Sequence, residues 1–355
     1  MDVIIMVVGG LLVTIILFLI FRTSNLVNLI KGKVPVWEST SNRVNAVLML
    51  VFLFLFMGGF WWYFFYAQAD LLPESASEHG LETDSLFNIV MAVILIPFVL
   101  LNIFLFWAAY RFRYNKNRRS KFHADNNNLE LAWTIIPSIV FTILILRGVP
   151  LWDKMKSTAP EESELVEIMG FQFGWKVRYP GLDRSLGKHN VQLIDANNEF
   201  GMDMMDPTAY DDFITNEIHV PKGQPVLLRI WSRDVIHSVF APHFRLKQDA
   251  VPGMLTTFWF EPRLSTEEMR QKLSAPTFNY EIACTEVCGR GHFSMRMIVV
   301  VDEPDVFEKW KRHQNSWLKS NPEYMAHVPE NLRELAQLRS GMDQYQEIPK
   351  ATLLK

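Results

Sequence analysis

The 355-residue sequence is poor in cysteine, in net charge and, in its second half, in long apolar runs. It has two cysteines, a formal net charge of -3 and 49% hydrophobic residues. The near balance of charge argues against a polycationic nucleic-acid-binding protein, and the apolar content argues against a disordered chain. No Cys-x-x-Cys-His segment occurs, which excludes a covalently attached c-type haem. After residue 150 no apolar run is long enough to cross a membrane.

The first 150 residues contain the long apolar runs that the rest of the chain lacks. Each run can cross a hydrocarbon core about 30 Å thick as a helix; the runs are residues 3–21, 44–66, 86–110 and 129–149. A buried core helix is the alternative for any one run, but soluble domains seldom contain four such runs. The first run lacks the basic start and the cleavage site of a signal peptide, so we expect it to be retained. The sequence therefore predicts four transmembrane helices.

The loops between these runs differ in charge. Loop 67–85 has no lysine or arginine and several acidic residues, whereas loops 22–43 and 111–128 are basic. The basic residues of these two loops are Arg22, Lys31, Lys33, Arg43, Arg111, Arg113, Lys116, Arg118, Arg119 and Lys121. Because positively charged loops remain in the cytoplasm, we expect the N-terminus and everything after residue 150 on the outer side. The predicted location is a bacterial inner membrane, with the second half of the chain in the periplasm.

Beyond residue 160 the apolar pattern shortens and begins to alternate. Turn formers such as PGLD, PKGQP and VPGM separate the segments ELVEIMGFQFGWKVRY, NEIHV, PVLLRIWS, TTFWFEP, YEIAC and MRMIVVVDE. Short strands at this spacing predict an antiparallel β-sandwich of about 140 residues. After Pro304 the segments FEKWKRHQNSWLK and ENLRELAQLR are polar and weakly amphipathic, which predicts a helical tail packed on a surface.

Both cysteines lie in one short stretch, CTEVCGRGHFSM. Cys284 and Cys288 are followed by His292 and Met295, and His237 follows another predicted strand at what would be the same end of the sandwich. A disulfide is the ordinary alternative for two cysteines outside the membrane. Together, however, two thiolates, two imidazoles and a thioether favour copper over zinc or magnesium.

This ligand set suits a dinuclear copper centre. Each cysteine can bridge two copper ions, with one imidazole for each metal. The Met295 sulfur and the Glu286 carbonyl oxygen then fill the remaining positions. A site without an open coordination position suits electron transfer better than substrate binding. An anchored binding module with one disulfide is the structural alternative, and it leaves the spacing of the histidines and the methionine unexplained.

The stretch CTEVCGRGHFSM resembles the dinuclear copper (CuA) loop of subunit II of haem-copper cytochrome c oxidases. The segment DVIHS, followed by LKQDAVPG, resembles the part of that family that bears its first histidine ligand, and LELAWTIIP resembles the start of its second membrane helix. The resemblance covers roughly residues 86 to 305. It implies a cupredoxin-like sandwich with a CuA centre held by His237, Cys284, the Glu286 carbonyl, Cys288, His292 and Met295.

The resemblance implies roles for further residues. The Glu286 side chain would reach a magnesium ion at the interface with the catalytic subunit, and Asp249 would lie beneath the copper on the route to the haem. Glu130 matches the glutamate at the entrance of a proton-uptake path. Phe173 stands where the family's electron-entry motif has its donor-facing tryptophan, whereas Trp175 of that motif is retained.

The family usually has two membrane helices, so the first part of this chain is an addition. The sequence predicts an α + β membrane protein in which four transmembrane helices precede an exported cupredoxin-like sandwich and a helical tail. The expected regions are an additional helix pair at 1–70, the subunit II hairpin at 71–155, the CuA domain at 156–305 and the tail at 306–355.

The expected function is that of the electron-entry subunit of a proton-pumping terminal respiratory oxidase. A cytochrome c-type donor would reduce the copper, and haem in a separate catalytic subunit would receive the electrons. The expected partners are subunit I, the other oxidase subunits and the lipid bilayer, without nucleic acid. A CuA subunit of a haem-copper nitric oxide reductase is the alternative, whereas a quinol oxidase subunit is disfavoured because it lacks the copper ligands.

The additional helices suggest how the donor is held. We expect residues 1–70 to dock the oxidase in a supercomplex with a neighbouring membrane complex that carries a tethered cytochrome. The alternative is that these helices only buttress the catalytic subunit.

Overall fold

The computed structural model describes residues 2–32, 40–115, 117–119, 121–122 and 124–342. Lys33 and Lys116 of the basic loops lie outside the described residues, as do residues 343–355 of the predicted tail. The chain divides into two compact units, Met1–Leu71 with Ile89–Val140 and Leu72–Asn88 with Phe141–Lys355.

Four long helices carry the predicted membrane spans. The helices of this half are α1 (Asp2–Ile30), α2 (Thr40–Tyr66), the short α3 (Gln68–Leu71), α4 (Glu78–Arg111) and α5 (Asn127–Lys156). All except α3 are long and apolar enough to cross a membrane, which confirms the prediction of four spans. Among the described residues, the spans of α1, α4 and α5 are 0% buried. Much of their apolar surface is therefore left for lipid or for other chains, although Phe98 and Phe106 of α4 contact α2.

The described residues of the second unit form ten strands. They are β1 (Glu164–Phe171), β2 (Gly174–Tyr179), β3 (Phe213–Thr215), β4 (Ile218–Pro221), β5 (Val226–Ser232), β6 (His237–Ala241), β7 (Leu246–Ala250), β8 (Thr256–Phe260), β9 (Tyr280–Cys284) and β10 (Arg296–Asp302). They form one sheet in the order β3-β2-β1-β5-β8 and another in the order β4-β10-β9-β6-β7. The predicted architecture of membrane helices followed by a cupredoxin-like sandwich is confirmed.

The expectation of a purely antiparallel sandwich is wrong in one respect. β1 pairs with β5 in parallel, and so does β4 with β10. Alternating apolar residues reveal which face of a strand is buried, but not the direction of its neighbour. The sequence pattern also missed β3, β6 and β7, because β3 is very short and β7 (LKQDA) is largely polar.

The core between the sheets is built from alternate strand residues. Val166 and Ile168 of β1 are fully buried in it, and the burial of one such side chain contributes about 1.5–3 kcal/mol. At one end of the sandwich the same apolar cluster includes Cys284, Cys288 and Met295. The candidate metal ligands are therefore a continuation of the core.

The outer face of the first sheet is covered by residues 180–212 and by the tail. The remaining helices are α6 (Thr266–Leu273), before β9, and the tail helices α7 (Pro304–Arg312), α8 (Trp317–Ser320) and α9 (Arg333–Ser340). Met169 of β1 and Trp231 of β5 form a second apolar cluster with Phe200, Trp317 and Leu318. The expectation of a helical tail packed on a surface is thus confirmed for its described residues.

A network of buried charges lies on this covered face. Arg178 Nε donates to Glu167 Oε2 across 2.6 Å, and Arg178 Nη1 lies 3.3 Å from Asp212 Oδ2. Arg178 Nη2 also donates to the Gly187 carbonyl across 3.0 Å. The three charged side chains are all 0% exposed. The Arg178 guanidinium is thus a partner that both acidic side chains share, and Asp212 Oδ2 also accepts a hydrogen bond from the Gly187 N–H across 3.0 Å.

Candidate metal centre

The loop between β9 and β10 carries most of the candidate ligands. β9 ends at Cys284, and the N–H of Cys284 donates to the Met295 carbonyl across 3.1 Å, directly before β10 begins. A 3-10 turn, His292–Ser294, leads into Met295. This closure folds residues 285–295 over the end of the sandwich core.

The two thiols and two imidazoles form a series of short contacts. The Cys284 and Cys288 sulfurs are 3.9 Å apart. His237 Nδ1 lies 3.9 Å from the Cys284 sulfur, and His292 Nδ1 lies 3.6 Å from the Cys288 sulfur. Atoms that bind one metal at about 2.0–2.3 Å with tetrahedral angles are themselves about 3.3–3.8 Å apart. The four side chains therefore have nearly the separations that shared metal ions require.

A thioether and a carbonyl complete the donor set. Met295 Sδ lies 3.3 Å from the Cys288 sulfur, and the Glu286 carbonyl oxygen lies 3.3 Å from the Cys284 sulfur. Soft sulfur donors combined with imidazole and a weak axial thioether are typical of copper electron-transfer sites. The residues present thus fit a copper centre, and the structure brings together all six ligands expected from the sequence.

The cysteines are free thiols in this structure, which disfavours the disulfide alternative. Their sulfurs, 3.9 Å apart, are nearly twice as distant as the atoms of a disulfide, which are about 2.05 Å apart. Burial and the neighbouring Cys284 thiol raise the pKa of Cys288 to about 11. Because a metal binds the thiolate form, its uptake must displace protons from this site.

His237 is fully buried at the first residue of β6. Asp234 Oδ1 lies 2.9 Å from its Nε2, which leaves Nδ1 to face Cys284. An outer carboxylate of this kind fixes the orientation of a ligand imidazole. Burial opposes the charge of Asp234, but hydrogen bonds from the Gln172 N–H and from His237 hold its pKa below the usual value.

The two predicted electron-entry residues lie in different environments. Trp175 is buried, its ring centre is 5.8 Å from that of His237, and its Nε1 donates to the Met295 carbonyl across 3.4 Å. Phe173 is 42% exposed and packs against the loop glycines 289 and 291. Trp175 therefore lies beneath the candidate copper ligands, and Phe173 lies at the protein surface beside them.

The remaining predicted residues lie outside the cluster of ligands. Asp249 accepts hydrogen bonds from Ser238 Oγ (2.7 Å) and Lys247 Nζ (3.1 Å), and the bond from Ser238 is the main cause of its lowered pKa. Ser238 directly follows His237, so Asp249 is linked to the strand that carries this ligand. The Glu286 side chain is exposed. Glu130 is exposed in the first turn of α5 and belongs to the first unit.

Sequence reasoning missed two residues that contact the site. Gln172 Nε2 donates to the Cys288 carbonyl across 2.6 Å, and the Gln172 N–H donates to Asp234 Oδ2 across 2.7 Å. The available signal was proximity in sequence, because Gln172 precedes Phe173 and Asp234 stands three residues before His237. Neither residue is a metal ligand, so the spacing of ligand types did not reveal them.

Comparison with known proteins identifies a family for this chain. The transmembrane domain of cytochrome c oxidase subunit II matches residues 59–151, and the periplasmic domain of the same subunit matches residues 165–302. The alternative cytochrome c oxidase subunit 2 of Bradyrhizobium diazoefficiens is 30% identical over 66% of this chain and 80% of that relative. Cytochrome c oxidase subunit 2 of Thermostichus vulcanus is 29% identical over 71% of this chain and 80% of that relative.

A solved structure is also similar in part. The periplasmic domain of cytochrome oxidase subunit II (CoxB) of Bradyrhizobium japonicum is 23% identical, with a TM-score of 0.29, over 44% of this chain and 95% of that one. The matched domains together span both the membrane hairpin and the copper-ligand sandwich. The chain therefore belongs to the cytochrome c oxidase subunit II family.

Proposed function

We propose that this chain accepts electrons one at a time from a cytochrome c-type protein at a dinuclear CuA centre and passes them to haem in the catalytic subunit. As a member of its family, it is a membrane-bound subunit of an oxidoreductase complex. The observation that carries the proposal is the pair of free thiols 3.9 Å apart, each with an imidazole nitrogen within 3.9 Å. Cys284, Cys288, His237 and His292 would together hold the copper ions.

The residues of the site would bind the metals and exclude water. When bound, the copper pair would supply a one-electron redox centre. Cys284, Cys288 and Met295 are buried, and His237 is inaccessible to solvent, so water has little access to the donor atoms. Hydrogen bonds from the strands hold these ligands, which limits their movement when the charge of the centre changes. The half-buried His292 is the side-chain ligand nearest to solvent.

Rapid mixing of a reduced cytochrome c with the copper-loaded full-length chain tests this function. We expect oxidation of the cytochrome and loss of the copper absorption at the same rate. The Cys288→Ser chain, which lacks a bridging thiolate, is the control and should leave the cytochrome reduced. Cytochrome oxidation at equal rates by both chains would contradict the proposal. Oxygen and nitric oxide offered separately to the whole complex would distinguish an oxidase from a nitric oxide reductase.

Three further roles belong to this proposal. The exposed Glu286 side chain would bind magnesium at the interface with subunit I, and Asp249 would lie on the electron route to the haem. Glu130, an exposed carboxyl in the first turn of α5, would admit protons to the catalytic subunit. The membrane would be a bacterial inner membrane, with the copper domain in the periplasm.

Substitution of Glu130 tests the proton-entrance role. Glu130→Ala should slow oxygen turnover by the complex on the order of tenfold or more, because proton transfer loses a positioned carboxyl group. Glu130→Asp retains the carboxyl group and is the matched control. Copper content should be unchanged in both variants. Normal turnover by Glu130→Ala would contradict the role.

We propose in addition that residues 1–70 form a separate region that docks the oxidase to a membrane-bound donor. The unburied span of α1 supports this proposal, because the apolar surface that its described residues expose is available to another membrane protein. Deletion of residues 1–70 should separate the oxidase from its donor complex and leave copper content unchanged. Continued co-purification of the truncated oxidase with that complex would favour the buttressing alternative.

A further inference from the structure

We propose that Gln172 and Phe173, which join β1 to β2, form a clamp that positions the copper loop, residues 285–295. In this clamp the Phe173 ring occupies the space that a side chain at position 291 would need. The inference rests on the proposed function of the loop as a CuA site and assigns Phe173 a role in positioning rather than in binding metal. The clamp contacts the copper loop directly, and through Asp234 it also contacts His237.

The fit between Phe173 and Gly291 is very close. A Cβ atom added to Gly291 would lie 2.5 Å from Phe173 Cγ, 2.7 Å from its Cδ2 and 2.8 Å from its Cβ. Contacts below 3.0 Å essentially never occur for real Cβ atoms, so an alanine there would displace the ring or the loop. Gly291 has φ -92°, which L-residues adopt, so the backbone conformation does not demand glycine. The space occupied by the Phe173 ring is therefore the reason for glycine at this position.

Gly289 contributes to the same contact for a different reason. Its φ of +132° favours glycine whatever its neighbours, and a Cβ there would lie 2.9 Å from Phe173 Cζ. The ring thus lies against two parts of the loop, one on each side of Arg290. Gly291 is the better position for a test, because the three atoms nearest to an added Cβ all belong to Phe173 and the φ of Gly291 is not strained.

Gln172 ties the turn to the ligands themselves. Its Nε2 donates to the Cys288 carbonyl across 2.6 Å, and its N–H donates to Asp234 Oδ2 across 2.7 Å. The other oxygen of Asp234 lies 2.9 Å from His237 Nε2. A continuous set of hydrogen bonds therefore runs from the copper loop through the turn to the opposite histidine.

The loop needs such support because much of it is exposed. Val287 is 83% exposed and Phe293 is 86% exposed, so neither side chain anchors the loop within this chain. Loss of a residue that supports a metal ligand typically weakens metal binding by about 10- to 100-fold. The clamp holds the Cys288 and His292 donors in position before the metal binds.

The first test uses the full-length chain, purified in detergent and titrated with copper. Gly291→Ala should weaken copper binding by about tenfold or more and change the hyperfine pattern of the bound copper. Phe173→Gly removes all three atoms that the new methyl group would approach. The double variant Gly291→Ala/Phe173→Gly should therefore bind copper within about threefold of Phe173→Gly alone.

The second test removes the hydrogen bond from Gln172 Nε2 to the Cys288 carbonyl. Gln172→Met retains the length of the side chain but cannot donate to the Cys288 carbonyl. A hydrogen-bond donor near the site favours the reduced copper centre. Its loss should therefore shift the equilibrium towards the oxidised centre by about three- to tenfold, and a tenfold shift lowers the reduction potential by 59 mV for one electron. Gln314→Met is the matched control, because Gln314 Nε2 donates to the Trp310 carbonyl (3.1 Å) in the tail. The control should leave the reduction potential unchanged.

Several results would overturn the clamp. One is a Gly291→Ala chain that binds copper as tightly as the parent chain, and another is a double variant that binds copper much more weakly than Phe173→Gly alone. An equal reduction potential in the parent and Gln172→Met chains would also overturn it. Failure of the proposed function looks different, because the unmodified chain itself would then show no dinuclear copper signal.

Discussion

The two faces of β1 differ in chemistry, because one is apolar and the other carries a buried charge. Val166 and Ile168 face the apolar core that ends in the copper loop, whereas the alternate residue Glu167 is buried with Arg178 and Asp212 beneath the tail. The copper end combines uncharged soft donors with exposed loop residues. The covered face combines fully buried charges with aromatic and methionine packing. We therefore expect that metal binding and the stability contributed by the covered face can be disrupted separately.

The largest expected effect is the loss of copper on substitution of Cys288. Cys288→Ser replaces a soft bridging donor by a hydroxyl group, so the dinuclear absorption and the second copper should be lost completely. The free energy of unfolding of the metal-free chain should fall by only about 1 kcal/mol, because the two side chains are similar in size. Copper analysis and thermal unfolding of the same preparation measure both quantities. A metal-free variant that fails to fold would contradict the separation.

The next largest effect should be a fall in the free energy of unfolding on substitution of Arg178. Arg178→Met removes the guanidinium that the buried Glu167 and Asp212 side chains share, and breaking a buried pair costs about 3–5 kcal/mol. The midpoint of thermal unfolding should fall clearly, while the fraction that remains folded should still bind two copper ions. Lys309→Met removes one partner of a pair whose side chains are both 73% exposed, and it should change stability by less than about 1 kcal/mol. Equal effects of the two substitutions would contradict this account.

A smaller effect should depend on pH. Burial, with the nearby Asp183 carboxylate, raises the pKa of Asp211 to about 6, although Asp211 Oδ2 accepts a hydrogen bond from the Asp183 N–H. A raised folded-state pKa means that the folded chain binds the proton more tightly than the unfolded chain. The stabilisation is therefore full below the unfolded pKa of about 4 and is lost as the pH rises through about 6.

Asp211→Asn tests this sign. Between pH 4 and pH 7 the variant should gain roughly 1–3 kcal/mol relative to the parent chain, because asparagine cannot acquire the buried negative charge. Thermal unfolding at the two pH values measures the difference. Copper content at pH 7 should be the same in both chains. A difference in stability that does not change with pH would show that Asp211 is not the titrating group.

Much of this organisation could be predicted from the sequence because it depends on local patterns. Apolar runs predicted the membrane spans, and the spacing of Cys284, Cys288, His292 and Met295 placed four ligands in one loop. His237 required a guess about which strand ends meet, and the structure places its Nδ1 3.9 Å from Cys284. The parallel pairs β1–β5 and β4–β10 could not be predicted, because burial alternates in the same way in parallel and antiparallel strands.

The covered face was equally beyond prediction. Glu167 and Arg178 appear in the sequence as ordinary polar positions of exposed strand faces. Their burial depends on residues 180–212, which carry no motif, and on the tail, which is distant in sequence. The contact between Phe173 and Gly291 has the same origin, because the two residues are more than a hundred positions apart.

Two coppers should share one unpaired electron at the site of Cys284 and Cys288. Electron paramagnetic resonance of the copper-loaded full-length chain, together with a copper count on the same sample, measures this directly. We predict two copper ions per chain and a hyperfine pattern from one unpaired electron distributed equally over two copper nuclei. One copper per chain with the pattern of a single nucleus, or no copper uptake by the reduced protein, would contradict the account.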